Sequence, residues 1–373
     1  DDETGLRPAM HIFNTLEQLQ TKHDSPIRYI HVGADQFDRE QFDELKEALK
    51  PIPNASAGWN DDPDMQSELA RLKKDGLPVI AGKGRNMWLS LMHRYMIDRN
   101  SSFIAHDADI RPRYKTNQKI YTEDYPLSLM TPMCHRDFGE MEFVKASYTR
   151  LVESNRGDFS LRGRVNRLLV KPFLKAVDEE YRGPEHKGVH EYIRFMQEFD
   201  YPLSGEFGMR ARIANNLPIQ PDFGLEIGML SSLYEMNARI AQVDLGDFDH
   251  KHSGVSSLKD MSEQIVKTLY RTLFYFVEDK ARDERTFEST MYDYRKFLDD
   301  QINNDRLMSR SQDWIYNIGE EFNTSKEFRD AAKDAFDQFK GDPENIKRLP
   351  AVSEVNYAHR KTLYEIIANQ NDD

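Results

Sequence analysis

Along the first hundred residues the spacing of apolar positions switches repeatedly between helical and alternating periods, and each switch marks an element. In "GLRPAMHIFNTLEQLQ", Met10, Ile12, Phe13, Leu16 and Leu19 recur at helical intervals and predict an amphipathic helix. "IRYIHVGAD" (27–35) is a β-rich run, and "DREQFDELKEALK" predicts a helix capped by Asp38. "LPVIAGKG" (77–84) predicts a short strand closed by glycines, "RNMWLSLMHRYMID" a helix, and "SSFIAHDAD" a strand ending in an acidic turn. Strands alternating with helices at this spacing predict an α/β fold built on a parallel sheet. Ligands of such sheets gather at the carboxyl ends of the strands, where Asp35, Lys83, Asp107 and Asp109 all fall.

Residues 140–255 alternate short strands, basic loops and a helix expected over 225–240. From about 256 onward the pattern is helical and highly charged, with Met261, Ile265, Leu269, Tyr270, Leu273 and Phe274 forming an apolar stripe. That stripe predicts packing against the preceding domain or a dimer partner, so the expected division is an α/β domain over 1–255 and a helical region over 256–373. A doubly wound sheet usually opens with a strand, whereas "DDETGLRPAM" already stands at a helix N-terminus. An initial strand is therefore expected upstream of residue 1.

Composition narrows the functional classes. The chain has 373 residues and a formal net charge of −13. Its mean field repels phosphate, which argues against nonspecific binding of nucleic acid or anionic membrane. An anionic ligand then requires a local basic cluster. The single cysteine, Cys134, precludes an intrachain disulfide, and no run of about 18 apolar residues is present to span a bilayer. The expectation is a soluble, cytoplasmic protein.

Four stretches carry candidate chemistry. Asp107 and Asp109 follow a strand, and a turn there brings two carboxylates to one hard divalent cation; taken alone, the pair is equally an acidic loop. "GKGRNMW" sets Lys83 between two glycines, suited to a phosphate or a base, without the spacing of a P-loop. "SGEFGMRARIANNLPIQPDFGLEIG" carries Glu206 and Glu226 among glycines, and "DHKHSG" adds His250 and His252, either surface residues or completion of a metal site. In "SLRGRVNRLLVKP", Arg162, Arg164 and Arg167 crowd a glycine-containing loop, either an oxyanion clamp or a solvated helix start.

Taken in order, "GKG", "HDAD", "VKASYTR", "GRVNRLLVKP", "PLSGEFGMR", "FGLEIGML" and "AQVDLG", with a following histidine, resemble the motif series of the glucosyl-3-phosphoglycerate synthases over roughly residues 77–260. These are retaining glycosyltransferases of the GT-A type. The resemblance implies a Rossmann-like, mostly parallel sheet with flanking helices, extended by the helical C-terminal region. It makes Asp107 and Asp109 the Asp-x-Asp pair that holds Mg²⁺ or Mn²⁺ and the sugar nucleotide, with His250 as the metal-ligating histidine. Lys83 matches the donor-contacting lysine, Asp35 lies near the nucleoside contacts, and "DDET" resembles the end of a donor-binding segment and so includes Glu3. Gly163, Arg164 and Asn166 fall on the acceptor loop, with Asn where the family has Thr. His252 stands in the acceptor region where the family often has Asn.

The implied reaction moves α-glucose from UDP-glucose to 3-phospho-D-glycerate, giving a precursor of a compatible solute, in a homodimeric enzyme. Arg164 would hold the acceptor's phosphate and carboxylate, and Glu226 is assigned to positioning the sugar hydroxyls or acceptor, with front-face attack and no covalent intermediate. Competing readings are a sister enzyme with a mannosyl donor or glycerate acceptor, a nucleotidyltransferase, and a non-catalytic nucleotide-sugar-binding regulator.

Overall fold

The computed structural model describes residues 7–22, 25, 27–108, 122, 124–138, 140–153, 158–248, 255–281, 283–312, 314–341 and 347–371. Glu3, Asp109, His250 and His252 lie outside them. In chain order the elements are α1 (Arg7–Thr21), β1 (Ile30–Ala34), α2 (Arg39–Leu49), β2 (Ala55–Trp59), α3 (Pro63–Lys74), α4 (Lys83–Asp98), β3 (Phe103–Ala105), α5 (Asp124–Cys134), β4 (Phe143–Glu153) and β5 (Phe159–Leu161). A π-helical turn (Val165–Val170) then leads into α6 (Lys171–Glu180), α7 (Lys187–Gln197), β6 (Phe207–Met209), α8 (Ala211–Asn216), α9 (Leu225–Glu235) and β7 (Ile240–Phe248). Three long helices follow, α10 (Val255–Ala281), α11 (Glu284–Ser311) and α12 (Ile318–Gly341), and then the shorter α13 (Tyr357–Asn369).

The α/β class expected from the periodicity is the one observed. β1 and β2 pair in parallel from Ile30↔Ala55 to Ala34↔Trp59, and β7 runs parallel to β4. β6 lies between β3 and β4 and is antiparallel to both, with β5 hairpinned on β4. The capping of α2 is as predicted: Gln41 N donates to Asp38 Oδ1 at 2.8 Å, and Asp38 N donates to Gln41 Oε1 at 2.9 Å.

One predicted strand is not formed. Residues 77–80 turn locally, with Val79 N donating to Leu77 O at 2.9 Å and Ile80 N to Pro78 O at 3.0 Å. Pro78 has no N–H for a ladder, so the run serves as a tight lead into α4. The lead is fitted to its neighbour by glycines. A Cβ on Gly84 would come 1.8 Å from Gln220 O, and Arg85 N donates to Pro221 O at 2.9 Å, so the 220–224 loop lies directly on the first turn of α4.

The principal hydrophobic core joins the α/β layers to the C-terminal helices. Leu91, Phe143, Leu168, Phe207 and Ile227 belong to the same cluster as Leu269, Tyr294, Phe336 and Leu363. Ile265, Leu269, Tyr270 and Leu273 of the predicted stripe are buried in it; each such side chain contributes about 1.5–3 kcal/mol relative to exposure. A smaller core under β1 and β2 is formed with α1 and α2. Just beyond α13, two side-chain amides pair with the β2 backbone as a strand would: Asn371 with Ala57 (2.9 and 2.8 Å) and Gln370 with Trp59 (2.8 and 3.2 Å). No described helix is long and apolar enough to cross a membrane.

Candidate active site

The strand ends and the first turn of α4 bring charged groups of both signs together. Lys83 Nζ lies 3.0 Å from Asp107 Oδ1, just past β3, and 2.9 Å from Glu226 Oε1 in the first turn of α9. Burial lowers the Lys83 pKa, but the adjacent Asp107 and Glu226 carboxylates, with Glu206 further off, outweigh it and hold the ammonium well above its ordinary value. Gly205 makes the space for Asp107, since a Cβ there would come 2.3 Å from Asp107 Oδ2.

Beneath this bridge lies a lysine to which the sequence reading gave no role. Lys145, on β4, is fully buried, and its Nζ donates to Ser204 O at 2.6 Å. Burial pushes its pKa down to about 8, against the raising influence of Glu226, Glu206 and Asp107 and with Lys83 lowering it further. Glu206, beside β6, is equally buried. The signal available in the sequence was a lysine inside the apolar run of a central strand, where an isolated charge is costly unless neighbours compensate.

Asp35 is positioned at the end of β1 by Arg85, whose terminal nitrogen is 2.7 Å from Asp35 Oδ1. Arg85 is nearly buried and was not singled out from sequence. Asn86 secures the same corner, its Nδ2 donating to Gly33 O at 3.0 Å and its Oδ1 accepting from Asn60 at 3.1 Å. Alternate residues of "GKGRN" thus serve three acidic side chains: Lys83 faces Asp107 and Glu226, and Arg85 faces Asp35.

The basic loop, read from sequence as either an oxyanion clamp or a solvated helix start, is paired with carboxylates of the C-terminal helices. Gly163 adopts φ +75°, a left-handed conformation suited to glycine, and a Cβ there would come 2.8 Å from Tyr201 Oη. Asn166 is buried in the π-helical turn. Arg164 pairs with two carboxylates of α12, Glu321 Oε1 at 3.1 Å and Glu320 Oε1. Arg167 pairs with Glu321 Oε2 at 3.1 Å and with Asp305 of α11. The helical C-terminal region therefore supplies the counter-charges of this loop, which no local pattern announced.

Among the described residues no group of three or more His, Cys, Asp or Glu side chains is placed to hold a metal ion. Asp107, Glu206 and Glu226 face Lys83 and Lys145, and the other expected ligands, Asp109 and His250, lie outside the described residues. A separate cavity of about 750 Å³, lined by Gln20, Lys22, Arg28, Tyr29, Asn54 and Asp98 among others, lies at the amino ends of β1 and β2, away from these groups.

Fold and site together define an α/β protein with a charged cleft at the ends of its strands. Comparison with known proteins carries this further. The chain is 30% identical over 341 residues to the glucosyl-3-phosphoglycerate synthase of Persephonella marina, covering 87% of this chain and 78% of that one. It is 27% identical over 354 residues to that of Methanococcoides burtonii, covering 91% and 78%. The chain belongs to the glucosyl-3-phosphoglycerate synthase family. No family model matches it. The crystal structure of the Mycobacterium tuberculosis enzyme with Mn²⁺, UDP and glucosyl-3-phosphoglycerate aligns with a TM-score of 0.43 at 21% identity, over 70% of this chain and 83% of that one.

Proposed function

We propose that this protein transfers α-glucose from UDP-glucose to 3-phospho-D-glycerate with retention, releasing UDP and glucosyl-3-phosphoglycerate. The observation that carries the reading is the Lys83 bridge between Asp107 and Glu226 in a chain of this family. In this reading Asp109, Asp107 and His250 hold Mg²⁺ or Mn²⁺. The bound ion supplies charge neutralisation for the departing diphosphate.

The protein's own groups perform the remaining tasks. Asp35, held by Arg85, orients the nucleoside end of the donor, and Glu3, outside the described residues, is assigned to donor binding. Lys83 holds Asp107 and Glu226 in register with each other. Glu226 positions the sugar hydroxyls or the acceptor; a carboxylate 2.9 Å from an ammonium is a weak nucleophile, which favours front-face attack without a covalent intermediate. Gly163, Arg164, Asn166 and His252 receive the acceptor, and fixing its carboxylate and phosphate makes the transfer effectively intramolecular. The protein acts as a cytoplasmic homodimer, and its product feeds synthesis of a compatible solute.

A second reading, with unphosphorylated glycerate as acceptor, is favoured by the carboxylates already seated on Arg164. A matrix of UDP- and GDP-hexoses against 3-phosphoglycerate, glycerate and glycerol, scored by nucleoside diphosphate release, decides between them. UDP release with UDP-glucose and 3-phosphoglycerate supports the main reading. Release confined to glycerate supports the second, and release of pyrophosphate or no turnover overturns both.

A further inference from the structure

The arginine assigned to the acceptor is held by two carboxylates of unlike character. Glu321 is buried and bridges two guanidinium groups, with Oε1 at 3.1 Å from Arg164 Nε and Oε2 at 3.1 Å from Arg167 Nη2. Glu320 reaches the outer nitrogen of Arg164 alone, and its side chain is 44% exposed. Arg167 has no such exchangeable partner among its pairs, because its second carboxylate, Asp305, is buried as well. Two guanidiniums thus face three carboxylates, and one of the three borders solvent.

We propose that Glu321 is a positioning residue for Arg164 and that Glu320 is a displaceable counterion, exchanged for the anionic group of the acceptor. This rests on the reading that Arg164 binds the acceptor. The Arg164–Glu320 pair is open to solvent on its Glu320 side, so Glu320 leaves at smaller cost than Glu321, whose buried fork stays and holds the guanidinium plane. The vacated position lies at the first turn of α12, a 24-residue helix whose N-terminal dipole continues to favour negative charge there. A neutral acceptor has no charge with which to displace Glu320. The C-terminal helical region thereby contributes to acceptor selection through a single exchangeable contact, and the pair of glutamates acts as a filter for anionic acceptors.

The test compares Glu320→Gln, Glu321→Gln and Arg164→Ala in the full chain, reading KM separately for 3-phosphoglycerate and UDP-glucose, with thermal melts to verify folding. Glu320→Gln is expected to lower KM for 3-phosphoglycerate by about three- to fivefold, the scale of one ion pair open to solvent on one side, while KM for UDP-glucose moves less than about twofold. Glu321→Gln is expected to raise KM for 3-phosphoglycerate about tenfold or more, because the fork around Arg164 is broken. Should Glu321→Gln fail to fold, the exposed Glu320 variant decides alone. An unchanged or raised acceptor KM in Glu320→Gln, with Arg164→Ala still raising it, overturns the exchange and leaves the acceptor reading intact. An Arg164→Ala variant with unchanged acceptor KM overturns the acceptor reading and this inference with it.

Discussion

Lys83 and Glu226 meet at 2.9 Å although they belong to different helices far apart in the chain, each at a helix N-terminus. The contact exists because the 220–224 loop rests on the first turn of α4, and it places Glu226 and Asp107 on either side of one ammonium. Removing the ammonium leaves two poorly solvated carboxylates facing each other. Lys83→Met is therefore expected to lower kcat/KM by about 10²–10³, and Lys83→Met with Glu226→Gln to lose less than the sum of the single effects. Additive losses in a double-mutant cycle would show that the two side chains act independently.

Gly84 should be intolerant of any side chain. Its Cβ position lies 1.8 Å from Gln220 O, a backbone atom that cannot swing aside. Gly84→Ala is expected to cost about 2–4 kcal/mol and to raise KM for the sugar nucleotide, since Lys83 and Arg85 move with the helix start. Urea unfolding and donor-concentration curves on the same preparation check both parts.

Acid should weaken the fold near β1 and β2. His31 Nδ1 is 3.0 Å from Ser56 Oγ, His93 Nε2 is 3.3 Å from the same hydroxyl, and the rings sit 4.4 Å apart. Burial, reinforced by His93, holds the His31 pKa well below its ordinary value, and burial pushes His93 down to about 4. Both are neutral in the folded state, so the unfolded chain binds more protons between about pH 6.5 and 4. The stability contributed by neutrality is full above about pH 6.5 and is lost as pH falls through that window, on the order of 3 kcal/mol for His93. Melting temperature against pH should show the loss, and His93→Leu should flatten it.

The amides beyond α13 should protect the edge of β2. Asn371 Nδ2 donates to Ala57 O at 2.8 Å and to Ile367 O at 2.6 Å, while its Oδ1 accepts from Ala57 N. Asn371→Ala is expected to cost about 1–2 kcal/mol and to increase aggregation on heating, because an uncovered strand edge recruits other chains. Light scattering during a thermal ramp measures the second effect.

Chelation should abolish turnover. With EDTA in excess, UDP release from UDP-glucose and 3-phosphoglycerate is expected to fall to background and to return with added Mg²⁺ or Mn²⁺, and Asp109→Ala should reproduce the loss. Full activity in either case would remove the metal from the proposed mechanism.

Much of the layer architecture was legible from period alone: α1, β1, the capped α2, β3 and the buried stripe of α10 each follow from local spacing. The apolar run at 77–80 misled because hydrophobicity signals burial and not ladder pairing, and Pro78 could not complete a ladder. The candidate residues of the charged cleft were legible as types, acids and a lysine at strand ends. Their partners were not. Arg85, Glu320 and Glu321 carry no local signature, since a charge at a helix start looks the same whether it faces water or another charge.

By itself, then, the sequence determined several local elements, the helical C-terminal region and an ordered motif series that resembles the family's, because periodicity and motif spacing are properties of neighbouring residues. Only the tertiary structure decided that Lys83 bridges Asp107 to Glu226, that Arg85 holds Asp35, and that Arg164 meets Glu320 and Glu321 of α12. Those pairings are set by how helices and loops distant in sequence pack on one core, and a charge acquires its partner only when that packing removes the water between them.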